Sequence, residues 1–493
     1  MDILITNGTV IDGTGAPGEK KDVLVSNGRI ASIGRIRAEE ASKDNLQLRI
    51  VDAAGKVVCP GFIDIHSHSD FSVPVDSSMQ EKLRQGVTTA VIGNCGFSAA
   101  PAGPRFVGYL RRFTGGMFGS ECSFDWNGMG EYLEYIKQRG MGANTVPQVG
   151  FANLRVIARG IRPGKPTQAQ LERMKSLLSK SLDEGARGFS TGLFYPPQSM
   201  AEAGEIEQLV SVAAKHDAIY STHVRNEMDD FENAVEEAID TARRAGASLQ
   251  ISHHKSILPR NYGRVRRTME RIEQARSEGV RADTDVYPYN AFSNIVLPFI
   301  FKYEPGMEDN VLFLYMKHHK ECEGKTVGEV MNEKKMGMRR LLVTLALREG
   351  ISGMPIAGFM MSEEDVNFLV THPLVSIGSD GVESFGRKAH PRLFGTFARV
   401  LEKYCREDRA MSLEEAVRKM TSLPAEKLGL KMRGVIREQY HADIAVFDPE
   451  TVSEQTTYRD PVKFPTGFEA VIVNGRMAAY KDVLTGELAG DVL

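Results

Sequence analysis

The 493-residue chain has little of what would tie it to a membrane, a nucleic acid or an extracellular framework. No apolar stretch approaches the roughly 20 residues needed to cross a bilayer. The opening Met1-Asp-Ile-Leu-Ile-Thr-Asn-Gly starts at once on a strand pattern. It lacks the basic start and apolar middle of a signal peptide, so a cytoplasmic location is expected. Net charge is -3 and no long basic run stands out, which argues against nucleic acid as a partner. Cysteine is scarce: Cys59, Cys95, Cys122, Cys322 and Cys405 are odd in number and irregularly spaced, which argues against a disulfide framework. Most are expected to be free, buried thiols in a reducing compartment. The whole chain, 42% hydrophobic and 25% charged, suits one large domain plus a smaller one.

Against that background five short apolar runs each end in a residue that can bind a metal ion or move a proton. They end at His66-Ser-His68, Cys95, His223, His253 and Asp380. Each run has the length and β-branched content of a fully buried strand. Strand patterns also fall at 87–93, 144–150, 186–190, 218–222, 248–252, 280–286 and 374–379. Between them helices are expected at 76–85, 167–184, 203–215, 228–246 and 262–278. The helix at 167–184 carries Leu171, Met174, Leu177, Leu178 and Leu182 on one face. Alternation of this kind gives an α/β fold, a (β/α)₈ TIM barrel over residues 58–425, with the strand tips gathered at one mouth. The stretch of about 295–350 is too long for a simple connection and reads as an inserted lid or subdomain. Residues 1–57 and 426–493 are rich in strand patterns. Asn-Gly pairs at 7–8, 27–28 and 474–475 are flanked by apolar residues, the strongest short hairpin signal. The two chain ends are therefore expected to share one small β-sandwich.

His66 and His68 are two apart, which puts both imidazoles on the same side of a strand. By the same alternation, His253 rather than His254 faces the mouth. Cys95 lies just past an apolar strand, where a thiolate can bind zinc. Asp380 can bind metal, act as general base, or cap a helix N-terminus. Any one of these histidines alone reads as an ordinary hydrogen-bonded residue. Successive strands ending the same way point instead to a metal-dependent hydrolase.

The supporting motifs are Pro60-Gly-Phe-Ile-Asp-Ile-His-Ser-His, Gly86-Val-Thr-Thr-Ala-Val-Ile-Gly-Asn-Cys-Gly, Gly188-Phe-Ser-Thr-Gly-Leu-Phe-Tyr-Pro-Pro, Thr222-His-Val-Arg-Asn-Glu, Ile251-Ser-His-His-Lys, Tyr287-Pro-Tyr, Gly378-Ser-Asp-Gly, His390-Pro-Arg-Leu-Phe-Gly-Thr-Phe and Arg433-Gly-Val-Ile-Arg. On these the chain resembles, almost end to end, the amidohydrolase superfamily and within it the D-aminoacylase (N-acyl-D-amino-acid deacylase) group. The resemblance implies a tightly held Zn²⁺ on Cys95, His223 and His253, and a weaker second site on His66, His68 and Asp380. It implies hydrolysis of N-acyl-D-amino acids to a carboxylate and a free D-amino acid. Metal-bound hydroxide would attack and Asp380 would serve as general base, then acid. Lys255, Tyr287, Ser293 and Arg392 are implied to hold the substrate's α-carboxylate. Apolar residues near 292–301 and 354–361 are read either as acyl-pocket lining or as core. One departure is Phe151, where the group often has a histidine after the glycine, which bears on substrate range or rate. The preference for D over L rests on the resemblance alone.

Three other readings are open. A cyclic-amide hydrolase of the dihydroorotase or hydantoinase type, or an isoaspartyl dipeptidase, would generally carry a metal-bridging lysine on strand four. The run Gly188-Phe-Ser-Thr-Gly-Leu has none. A non-catalytic barrel would bind no metal. A Cys95 nucleophile would need a histidine base and an acyl-enzyme. Oligomeric state is left open.

Overall fold

A strand that is apolar on both faces must be covered on both, and parallel strands with helical crossovers achieve this. The computed structural model describes residues 2–37, 39, 48–113, 121–296, 306–350, 353–382 and 385–493. Eight parallel strands follow one another in chain order: β1 (Phe62–Asp64), β2 (Val87–Ile92), β3 (Asn144–Gly150), β4 (Gly188–Gly192), β5 (Ile219–His223), β6 (Leu249–Ile251), β7 (Ala282–Val286) and β8 (Val375–Ile377). Nearly every residue in them is buried. The ring closes just past the last strand. A parallel bridge pairs Ser67 with Gly381. Asp380 N–H donates to His66 O at 2.8 Å, and His68 N–H donates to Gly381 O at 3.0 Å. Closure of the barrel and assembly of the candidate ligands thus use the same residues.

The helix over Gln168–Asp183 begins at Thr167 with a reciprocal capping box to Gln170. It buries Leu171, Met174, Leu178 and Leu182 on the expected face. Ala203–Lys215, Phe231–Ala245 and Arg264–Ser277 form the next three outer helices. The helix expected at 76–85 is one turn, Gln80–Leu83. Its Lys82 reaches inward to Asp64 at 2.7 Å, and both side chains are fully buried. Asp64 also accepts the N–H of Ser379 at 2.8 Å, tying β1 to the residues after β8.

The run from Val58 to His66 divides between two sheets. Val57–Pro60 pairs antiparallel with Ile444–Phe447 in the small sheet, and only Phe62–Asp64 enters the barrel. Gly61 is the joint: a β-carbon there would lie 2.2 Å from the Thr88 side chain, so only glycine lets the chain pass. Both chain ends contribute to one nine-stranded sheet. Ile3, Val23, Val51, Ile444 and Ile472, drawn from both ends, share a single apolar core. Two of the three Asn-Gly pairs are two-residue hairpin turns, with Asn27 and Gly28 at φ 50° and 78° and Asn474 and Gly475 at 47° and 78°. Asn7-Gly8 is not a turn. It is an irregularity inside the strand Asp2–Val10, where a β-carbon on Gly8 would lie 2.5 Å from Val58.

Between β7 and β8 a three-stranded sheet of Phe292–Ile295, Val311–Phe313 and Pro355–Gly358 joins the helices Val327–Lys334 and Met338–Glu349. The inserted segment therefore runs a little wider than 295–350. No helix among the described residues is long and apolar enough to cross a membrane.

Candidate metal centre and active site

Residues just past the tips of β1, β2, β6 and β8, with the last residue of β5, converge in one buried group. His66, His68, Cys95 and Asp380 form one set of donors, and Cys95, His223 and His253 form another. Within each set the ligand atoms lie within 4.8 Å of one another. Cys95 Sγ stands 3.3 Å from His66 Nε2 and 3.4 Å from His253 Nε2. His68 Nε2 is 3.1 Å from Asp380 Oδ1. Three of the six take left-handed backbone conformations: Cys95 at φ 53°, His253 at 36° and Asp380 at 49°. Residues with a β-carbon adopt that region at a cost, and such outliers cluster at functional sites.

The donor set fits a soft divalent cation. Two ligands bound tetrahedrally to zinc at their usual lengths lie roughly 3.4–3.6 Å apart, close to the Cys95–His66 and Cys95–His253 separations. Both ring nitrogens of His223 are buried without a hydrogen-bond partner. Such groups are costly unless something else satisfies them. Burial holds the His223 and His253 imidazoles well below their ordinary range, and the Lys255 ammonium pushes both further in that direction. They are neutral, as metal ligation requires. Burial pushes the Cys95 thiol up, with His66 partly opposing it. Burial also disfavours the Asp380 carboxylate, but the Arg392 guanidinium and the hydrogen bond from His68 oppose it, and Asp380 lies well below the usual carboxylate range.

Carboxylates missed in the sequence orient these ligands. Asp285, near the end of β7, lies 3.2 Å from His66 Nδ1 and accepts the backbone N–H of His253 at 2.8 Å. Glu227 lies 3.3 Å from His253 Nδ1 and 3.4 Å from His223 Nε2. Its spacing of four from His223 was the available signal, since it ends the Thr222-His-Val-Arg-Asn-Glu motif. Asp70 grips the loop that presents Cys95, accepting the N–H of Gly93 at 3.2 Å and of Ala99 at 2.7 Å. Burial raises its carboxyl to about 7.

Above the donors opens a cavity of about 210 Å³, lined by Lys255, Tyr287, Ser293 and Arg392 among others. Arg392 donates to Asp380 Oδ2 at 2.9 Å, while its Nε and Nη1 are buried without hydrogen-bond partners. Its guanidinium stands 4.7 Å from the Tyr287 ring centre. Lys255 Nζ binds Glu227 at 2.5 Å and His253 Nδ1 at 2.9 Å. Phe292 and Ile295 of the inserted segment line the same cavity, whereas 297–301 lies outside the described residues. Phe151 begins the helix after β3, buried with its ring edge-on to Phe189 at 6.1 Å. It is not part of the cavity lining. His254 points away, as expected, and pairs with Thr268 Oγ1 at 2.8 Å. Among the other cysteines Cys59, Cys122 and Cys322 are buried and free, and Cys405 is free and half-buried.

Known proteins resemble this chain over its whole length. The amidohydrolase family profile matches residues 49–286 and 359–479. An N-acyl-D-glutamate deacylase of Alcaligenes xylosoxydans xylosoxydans is 36% identical over 96% of this chain and 93% of its own length. A D-aminoacylase of the same organism is 34% identical over 100% of this chain and 97% of its own. The crystal structure of an N-acyl-D-glutamate deacylase from Bordetella bronchiseptica, complexed with zinc and a phosphonate mimic of the tetrahedral intermediate, superposes with a TM-score of 0.90 at 36% identity, covering 100% of this chain and 99% of that one. With family profile, whole-chain relatives and architecture in agreement, the chain belongs to the amidohydrolase family, in the branch of the D-aminoacylases and N-acyl-D-amino-acid deacylases.

Proposed function

We propose that the protein is a zinc-dependent deacylase that cleaves the amide bond of N-acyl-D-amino acids to a carboxylate and a free D-amino acid. The observation that carries this reading is the pair of donor sets sharing Cys95 at the floor of the cavity. Cys95, His223 and His253 would hold one zinc ion tightly. His66, His68 and Asp380, with Cys95, would hold a second more weakly. Bound there, zinc supplies Lewis acidity and brings a water near its ionisation point at neutral pH.

The protein's own groups do the rest. Asp380 is ionised at neutral pH and accepts the proton of the attacking water. It returns that proton to the departing nitrogen, since an amide anion is too poor a leaving group to depart unprotonated. His68 and Arg392 fix the carboxylate's orientation through its two oxygens. The buried, unpartnered Nε and Nη1 of Arg392, together with Lys255, Tyr287 and Ser293, take the α-carboxylate of the substrate. β4 carries no lysine, and Cys95 stands where the two donor sets meet, which disfavours the lysine-bridged cyclic-amide hydrolases and isoaspartyl dipeptidases. A reducing, cytoplasmic setting would keep the Cys95 thiol available.

The test is release of free amine from matched N-acetyl-D- and N-acetyl-L-amino acids, with and without a chelator. Turnover of D substrates that the chelator abolishes and zinc restores is expected. Turnover of hydantoins or dihydropyrimidines in its place would overturn the proposal.

A further inference from the structure

The charged groups around the cavity are few and already matched. Lys255 and Arg392 are the two lysine or arginine side chains among the described lining residues, and Glu227 and Asp380 are the two acidic ones. Lys255 is paired with Glu227 and Arg392 with Asp380. What Arg392 has left, Nε and Nη1, suits a single additional carboxylate. Beyond Ser293 and Asn294, the described walls are mostly apolar or aromatic: Phe97, Tyr109, Tyr195, Phe292, Ile295 and Val382. Four arginines, Arg105, Arg112, Arg159 and Arg162, lie nearby but line a separate depression that shares only Tyr109 with the cavity. The Tyr109 hydroxyl is fixed by donation to Pro196 O at 2.6 Å.

We infer that the site selects monoanionic substrates whose amino-acid side chain is apolar and turns away N-acyl-D-glutamate and N-acyl-D-aspartate, although a glutamate deacylase is among its relatives. The inference rests on the deacylase reading and narrows it. Among the described lining residues a second carboxylate finds no unpaired cation to meet it, and a buried charge without a partner is strongly disfavoured.

The experiment compares kcat/KM of the full-length, zinc-loaded enzyme on the N-acetyl derivatives of D-leucine, D-methionine, D-phenylalanine, D-glutamate and D-aspartate. An advantage of about 100-fold or more is expected for the best apolar substrate, the scale at which a pocket rejects a group it cannot satisfy. An acidic substrate within tenfold of the best apolar one overturns the inference while leaving the deacylase reading intact. No turnover of any of the five by zinc-loaded enzyme sinks both. In a second arm, Ile295→Arg should raise the glutamate-to-leucine ratio of kcat/KM at least tenfold at unchanged zinc content. An unmoved ratio in folded, zinc-loaded variant counts against the inference.

Discussion

At the residue scale Asp380 and Cys95 should separate cleanly. Asp380→Asn removes the proton acceptor while leaving the thiolate and the imidazoles of His223 and His253. It should keep a tightly bound metal ion and lose roughly 10²–10⁴-fold in kcat, the usual weight of general acid–base catalysis. Cys95→Ala should fold, by circular dichroism, yet lose its tightly bound metal by elemental analysis. Retained metal would favour a nucleophilic role for the thiol. The convergence of the six candidate donors was legible in the sequence because each ends or follows a buried strand, and strand tips in a parallel barrel share one face. Glu227 and Asp285 were harder to see. Carboxylates are commonly solvated, and neither spacing nor composition distinguishes one that faces an imidazole across the barrel. His253 rather than His254 faces the mouth as expected, although His253 lies past the end of β6 with a left-handed backbone, so strand alternation alone does not account for it.

At the scale of elements, the Cys95 loop is held by Asp70 at Gly93 and Ala99, the positions that flank the thiol. Asp70→Asn replaces an acceptor with a donor facing one of those N–H groups. We expect a 10–100-fold loss of metal affinity, typical for groups that orient ligands, measured by competition with a chromophoric chelator. The Lys82–Asp64 pair joins the short helix after β1 to the strand itself. Lys82→Met strands a buried carboxylate and should cost about 3–5 kcal/mol in urea unfolding, whereas Lys82→Met with Asp64→Leu should recover much of that loss. Most elements were readable, since strand and helix periods differ. The run through Gly61 misled because a fully apolar sequence carries no mark of which sheet each residue joins. Only the contact with Thr88 decides that. Asn7-Gly8 misled in the same way: the pair that closes hairpins at 27–28 and 474–475 serves at 7–8 as a place where another strand presses close.

For the whole molecule, Lys419 offers a test of folding that does not involve the site. Its ammonium is fully buried near His372 O, and burial lowers its pKa to about 7. Unfolded, the group titrates near 10.4. Between about pH 7 and pH 10 the unfolded chain therefore holds more protons than the folded one, so this group makes stability rise with pH across that window. Lys419→Met should remove that rise, and denaturant melts of both proteins from pH 7 to pH 10 will show whether their difference narrows or widens as expected. The general architecture was legible because its repeating strand–helix unit runs through the central chain. The small sheet was legible only in outline, since its pairing joins segments from opposite ends. That the ring closes through His66, His68, Asp380 and Gly381 has a consequence for synthesis. A chain still emerging from the ribosome can present the thiol and the four imidazoles early, but it lacks the Asp380 carboxylate that takes up the proton until the residues past its eighth strand appear. Catalytic competence is therefore withheld until the barrel is complete, and a prematurely terminated product should be inert however well its earlier portions fold.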